Sequence, residues 1–230
     1  MHHDGNPLDR PQWSALTTSH AAFATGNEFA RRYRPEFSPL SAVREVSPPC
    51  LQALSALMQP GEVVGLFGAE PTAAIGDLVE VAHKPLEQFV HGGGEVAAPR
   101  EEVVRLIDAD VPEMMALAKL TEPGPFAVRT IALGDYLGIR SGGRLAAMAG
   151  ERMKFPGFTE ISAVCTHPEH RGRGLAEALV RMLMRNILLR GEVPFLHIFS
   201  DNAAAHALYV KLGFTHRRSL VVSVLKRAER

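Results

Sequence analysis

The sequence predicts an α/β fold in two parts, and three observations carry that prediction. After residue 100, short apolar runs alternate with amphipathic stretches, the order that a sheet covered by helices requires. Within that region, Val164-Cys165-Thr166-His167-Pro168-Glu169-His170-Arg171-Gly172-Arg173-Gly174-Leu175-Ala176 carries an apolar strand into a glycine loop that opens a helix. Ahead of it, His91-Gly92-Gly93-Gly94-Glu95-Val96-Ala97-Ala98-Pro99-Arg100 breaks all periodicity, as a linker does. The expected organisation is therefore a smaller N-terminal α/β lobe over residues 1–91, a linker over 92–100 and a second domain over 101–230.

In the first lobe, Ser47-Pro48-Pro49 starts a helix that runs through about Met58, and Gln59-Pro60-Gly61 stops it. Glu62 to Phe67 reads as a short strand, Leu78 to Ala82 as another, and a short helix is expected after Pro85. The lobe carries no phosphate loop, so no chemistry is assigned to it. In the second domain Glu102 to Ile107 is a strand, and Asp108 or Asp110 caps a helix through Leu120 with Pro112 in its first turn. The loop Glu122-Pro123-Gly124-Pro125-Phe126 follows. Strands are expected near Tyr136 to Arg140, from Arg144 to about Met153 and from Thr159 to Thr166, with turns at Ser141-Gly142-Gly143 and Pro156-Gly157. From Gly174 to Arg190, Glu177, Arg181 and Arg185 recur every four residues among leucines, methionines and alanines, which predicts a mostly buried helix ended by Gly191. Phe195 to Phe199 is the next strand, Asn202 to Leu212 a helix ended by Gly213, and Ser219 to Leu225 the last strand.

Composition excludes several function classes. The 230 residues are 46% hydrophobic, enough for one good core or two modest ones. Acidic and basic residues balance at 25 each, so no electrostatic footprint for nucleic acid or an anionic membrane is expected. Cys50 and Cys165 are the two cysteines, far apart and outside any Cys/His cluster, which supports neither a disulfide framework nor a zinc site. A reducing cytoplasm is the expected home. No apolar run approaches the roughly 20 residues that span a bilayer, and the N-terminus lacks the basic-then-apolar order of a signal peptide. Met1-His2-His3 hints at a tag remnant, but two histidines are too few to argue from.

The glycine loop points to phosphate chemistry. A helix N-terminus offers unpaired N–H groups and partial positive charge, glycines let the main chain close around a pyrophosphate, and Arg171 and Arg173 add charge at the mouth. Gly172-Arg173-Gly174 could also begin a dinucleotide fingerprint. Glu177, however, stands where that motif needs glycine or alanine. Downstream lies Asn202-Ala203-Ala204-Ala205-His206-Ala207-Leu208-Tyr209-Val210-Lys211-Leu212-Gly213-Phe214. Together the two segments resemble the GCN5-related N-acetyltransferases (GNAT). Arg171, Gly174 and Ala176 match that family's [Q/R]-x-x-G-x-[G/A] loop. Asn202, Ala205, Leu208, Tyr209, Lys211, Gly213 and Phe214 match its N-x-x-A-x-x-L-Y-x-K-x-G-F signature. From about residue 102 the chain also looks like the branch holding the FR47-like and glycine N-acyltransferase-like proteins.

The resemblance implies a mixed, mostly antiparallel sheet flanked by helices, with the N-terminal lobe compatible with a degenerate half of the same fold. It also implies acetyl-CoA as co-substrate, a primary amine on a small molecule or peptide as acceptor, direct transfer, and no metal. No nucleic acid or membrane partner is expected, and a homodimer is compatible. The pyrophosphate would sit on Arg171, Gly172, Arg173, Gly174, Leu175 and Ala176. The pantetheine arm would run along Val164, Cys165 and Thr166 and touch Asn202 and Ala205, with the Val164 N–H facing the thioester carbonyl. Cys165 itself reads as a small buried apolar residue. Tyr209 is the candidate acid for the leaving sulfur. Glu160 is the candidate base, since counting back four from Val164 puts it on the same strand face and some relatives carry a glutamate there. Glu151 on the preceding strand is its understudy. His197 and His206 are left out, a lone histidine being more often structural. The alternatives are an acyl-CoA sensor without turnover, which an intact Tyr209 argues against, and a nucleotide-binding oxidoreductase, which Glu177 argues against.

Overall fold

The computed structural model describes residues 5–72 and 74–229, so the Met1-His2-His3 start lies outside the described residues. Helix α1 (Pro11–Thr17) opens on a proline, whose missing N–H costs nothing at a helix start. Three short strands follow, β1 (Ala24–Gly26), β2 (Ala30–Tyr33) and β3 (Leu40–Val43). Their 3–4 residues are too few to show a period, which is why the sequence does not reveal them. Helix α2 (Pro48–Ala56) and strand β4 (Val63–Gly68) lie where expected.

The expected helix after Pro85 does not form. Instead β5 (Leu78–His91) is one strand of 14 residues, antiparallel to two neighbours. Pro85 is tolerated because its C=O, and with it the side of the missing N–H, faces Ser200, just past the last residue of β10 (Val193–Phe199) paired to β5. Pairing with β11 is untouched, and the one bond forgone, from position 85 back to Ser200, lies past the end of β10.

After residue 100 the elements are β6 (Val104–Arg105), α3 (Val111–Thr121), β7 (Tyr136–Ser141), β8 (Arg144–Phe155), β9 (Phe158–Thr166), α4 (Leu175–Leu189), β10, α5 (Ala203–Lys211) and β11 (Phe214–Arg227). Among the described residues eleven strands form one sheet, in the order β1-β2-β3-β4-β11-β5-β10-β9-β8-β7-β6. Only β3/β4 and β9/β10 are parallel, so the sheet is mixed and mostly antiparallel. The 92–100 segment has no regular structure, with Gly93 and Gly94 at φ of 91° and 101°. The two regions it joins nevertheless share the sheet, because β5 from the first sits between β10 and β11 of the second. The segment is tied down as well: Val96 is buried, and its C=O accepts a 2.6 Å hydrogen bond from Arg185 on α4.

Helix α4 organises the main core. Ala178, Leu179, Val180, Leu183, Met184 and Ile187 are buried on it, against Ala147, Ala149, Ile161 and Leu196 of the sheet. Glu177, Arg181 and Arg185 keep the four-residue spacing on its more polar side. A second cluster joins Cys50, Leu51 and Leu54 of α2 to Val64 of β4, Leu78 of β5 and Leu225 of β11, again crossing between the two regions. No helix among the described residues is long and apolar enough to cross a membrane.

Candidate active site

Strands β9 and β10 pair only through Val193↔Phe158, Pro194↔Thr159 and Phe195↔Glu160, and then diverge. The gap opens into a cleft of about 500 Å³. One wall is Ile161 to Val164 of β9, the other His197 to Phe199 of β10, and Asn202, Ala205 and Tyr209 of α5 close one side. Parallel strands that part company leave backbone N–H and C=O groups without ladder partners, ready for an extended ligand.

A bulge sharpens this arrangement. Met148 pairs with Cys165 and Gly150 with Ser162, so the single residue Ala149 faces two, Ala163 and Val164. Ala163 takes the left-handed conformation, at φ 52°. Bulges re-aim backbone and side chains next to active sites. Here the bulge gives neither Ala163 nor Val164 a ladder partner on β8. It also inverts the side-chain alternation on which the Glu160 expectation rested.

Glu160 is fully buried and does not line the cleft. Arg152 Nε and Nη2 each donate to it at 2.7 Å, and His197 Nδ1 lies 2.7 Å from Oε1. Burial alone would raise its pKa. The Arg152 charge and the hydrogen bonds from Arg152 and His197 overcome that and hold the carboxyl at about 2. His197 lines the cleft wall and is kept neutral by burial despite the Glu160 charge. With Nδ1–H on Glu160, its Nε2 accepts from Gln88 Nε2 at 3.0 Å. Gln88 is fixed in turn by Leu8 O and by Arg217, which pairs with Asp9 at 2.6 Å. A continuous polar chain thus runs from the cleft to the N-terminal turn. Glu151 is also buried, but it pairs with Arg190 at 2.6 Å and caps the Asp135 N–H, away from the cleft.

Tyr209 is 6% exposed, packs edge-on against Phe214 at 5.7 Å and lines the cleft. Burial first, then the negative charge of Glu160, push its phenol well above the ordinary value, so it carries its proton at neutral pH. Asn202 Oδ1 accepts from the Ala205 N–H at 3.0 Å, which caps α5 and leaves both residues on the cleft. Cys165 is packed among Met114, Leu117 and Met148, and burial pushes its thiol up, away from thiolate chemistry. Thr166, the last residue of β9, has a buried Oγ1 with no hydrogen-bond partner among the described residues.

Gly172 and Gly174 sit at φ of 75° and 78°, and Gly174 is the N-cap from which Leu175 and Ala176 start α4. A Cβ at either glycine would meet no atom within 4 Å. The backbone conformation, and not protein crowding, therefore requires glycine there. Arg171 and Arg173 are exposed, with no carboxylate partner among the described residues. Glu177, in the first turn of α4, is neutralised by Arg181 at 2.9 Å and by Lys211 of α5 at 2.6 Å. The Lys211 bridge ties the loop helix to the tyrosine helix, while the Arg181 bridge lies within α4.

The structure also brings in Arg152, and Lys84 and Glu122 at the cleft wall, which the sequence does not single out as site residues, and His197, which sequence reasoning sets aside as structural. Their positions depend on strand pairing and carry no local motif. Among the described residues, His167, Glu169 and His170 bring ligand atoms within 4.8 Å of one another, but none lines the cleft. A larger hollow of about 660 Å³ between α1, β3 and β4 holds none of the motif residues.

Residues 136–222 match the family model of FR47-like proteins. Over 82 residues the chain is 40% identical to the N-alpha-acetyltransferase RimI of Mycobacterium tuberculosis, covering 34% of this chain and 51% of that one. Over 89 residues it is 34% identical to the mycothiol acetyltransferase of Corynebacterium glutamicum, covering 38% of this chain and 30% of that one. The chain thus spans about half the length, or less, of these curated relatives. Across 97% of its residues it superposes on the whole of a crystal structure from Novosphingobium aromaticivorans described as a GNAT-family acetyltransferase, with a TM-score of 0.91 and 40% identity. A relative of 40% identity matched over its full length shows the family, and the chain belongs to the GNAT family.

Proposed function

We propose that the protein is an N-acetyltransferase that moves an acetyl group from acetyl-CoA directly to an amine. The observation that supports this most is convergence: the unpaired backbone of β9, the bulge at Ala163 and Val164, and the protonated Tyr209 meet in one cleft. The amine nitrogen attacks the thioester carbonyl, and the Val164 N–H stabilises the oxygen as it gains negative charge. The tetrahedral adduct collapses, the C–S bond breaks, and Tyr209 donates its proton to the leaving sulfur. The nitrogen gives up one proton, which returns through solvent to the Tyr209 phenolate, so that the step balances. Arg171 to Ala176 hold the pyrophosphate through backbone N–H groups, and Asn202 and Ala205 border the pantetheine arm.

Glu160 acts in this reading as the buried anion that fixes Arg152 and His197, and not as the base. Both its oxygens are engaged and its pKa of about 2 makes it a weak proton acceptor. Calorimetry with acetyl-CoA, followed by a thiol-release assay against a panel of amines, tests the proposal. Failure to bind acetyl-CoA refutes it, and binding without thiol release with any amine identifies a sensor instead.

A further inference from the structure

The far half of the cleft is built from elements that the donor does not use. Side chains at every second position of β11 (Val222, Val224) and β5 (Lys84, Leu86) line it, so these strands present one face to it. Leu40 and Phe67 extend the apolar wall, and the loop after α3 closes the rim. None of the residues assigned to acetyl-CoA lies on these strands.

The charges in this half are few. Of the ionisable side chains on the cleft, Arg152 and His197 are engaged by Glu160, and Tyr209 stays neutral. That leaves Lys84 and Glu122, neither with an ion-pair partner among the described residues. Lys84 Nζ is held 4.9 Å from the centre of the Phe199 ring, on the cleft wall. Glu122 ends α3 in the left-handed region, at φ 47° and ψ 54°, where glycine or asparagine is usual. Strained non-glycine backbone of this kind collects at ligand clamps.

One ammonium and one carboxylate above an apolar wall match a particular acceptor. We propose that this half of the cleft binds an apolar free amino acid, with its side chain on the Leu86, Val222 and Val224 face, its carboxylate on Lys84 and its amino group on the Glu122 side. The inference rests on the transferase reading above and names its acceptor class. A polyamine would be repelled by Lys84, an aminoglycoside would desolvate hydroxyls against valines, and a peptide N-terminus carries no carboxylate beside its amine. In the transfer, the amino nitrogen forms the new C–N bond, the thioester C–S bond breaks, nitrogen loses one proton and sulfur gains one.

The test compares leucine with 3-methylbutylamine, the same body without its carboxylate, and with spermidine, using the full chain and thiol release from acetyl-CoA. Leucine is expected to be used with kcat/KM about tenfold or more above either amine. Lys84→Met should raise the leucine KM about tenfold and shrink that preference below about twofold, the effect of losing a charge-assisted contact. Equal or better use of 3-methylbutylamine or spermidine overturns the acceptor class while leaving the transferase reading intact. A Lys84→Met effect on the acetyl-CoA KM in place of the leucine KM assigns the ammonium to the donor and also overturns it. If acetyl-CoA binds but no amine releases thiol, absence of leucine binding to CoA-saturated protein by calorimetry overturns it. No acetyl-CoA binding at all refutes the transferase reading itself.

Discussion

Glu160→Gln separates a structural anion from a catalytic base. In the folded protein the carboxylate is fully buried, doubly hydrogen-bonded to Arg152 and held at a pKa of about 2, against 4.5 for an ordinary glutamate. That depression corresponds to about 3 kcal/mol of stability. Because the folded pKa lies below the unfolded one, the contribution is present above pH 4.5 and lost as pH falls toward 2. The amide substitution leaves the Arg152 guanidinium buried without its counter-charge, and breaking a buried pair in this way costs about 3–5 kcal/mol. For a chain of this size the melting temperature should fall by roughly 10 °C. The double variant Arg152→Met/Glu160→Leu, which removes both charges together, should recover much of the loss. Calorimetric melting between pH 3 and 8 reads the stability, and the pH–rate profile of each variant, taken below its melting range, reads the chemistry. The structural role predicts a destabilised Glu160→Gln protein whose pH–rate profile keeps the wild-type shape. An unchanged melting temperature, with activity lost at neutral pH and regained at alkaline pH where solution deprotonates the amine, would refute the argument and make Glu160 the base.

Tyr209→Phe keeps the ring packing on Phe214 and removes only the hydroxyl, so turnover should fall by about 10²-fold with the acetyl-CoA affinity little changed; wild-type turnover would make Tyr209 a packing residue. Gly174→Val places a β-branched side chain at φ 78°, where it costs about 1–2 kcal/mol of backbone strain and disrupts the anion loop. Calorimetry should show acetyl-CoA binding largely lost at a temperature where circular dichroism still shows the fold. Arg171→Ala, on the exposed mouth of that loop, should weaken binding by about 1–3 kcal/mol and flatten its salt dependence; unchanged affinity in both loop variants would displace the pyrophosphate from this helix end. Leu183→Ala, at the buried centre of α4, should cost about 2–5 kcal/mol in chemical denaturation without changing the pH–rate profile.

What the sequence by itself determined is local. The Arg171 to Ala176 loop, the Asn202 cap, the Tyr209 helix and the buried face of α4 each depend on residues a few positions apart, so spacing and residue type expose them. The break at 92–100 was also legible, because glycines and a proline act on their own backbone. Only the tertiary structure decided what crosses that break. Strand β5 passes from the first region into the sheet of the second, since strand pairing answers to partners about a hundred residues away, such as Phe195↔Val90. It also decided the fate of Glu160. Counting by twos from Val164 presumes an unbroken strand, and the one extra residue at Ala163 turns the count over, sending the carboxylate beneath the cleft to Arg152 and His197. Lys84 and Glu122 are invisible for the same reason. They lie in different elements of the chain, and only the folded structure brings them to one cleft.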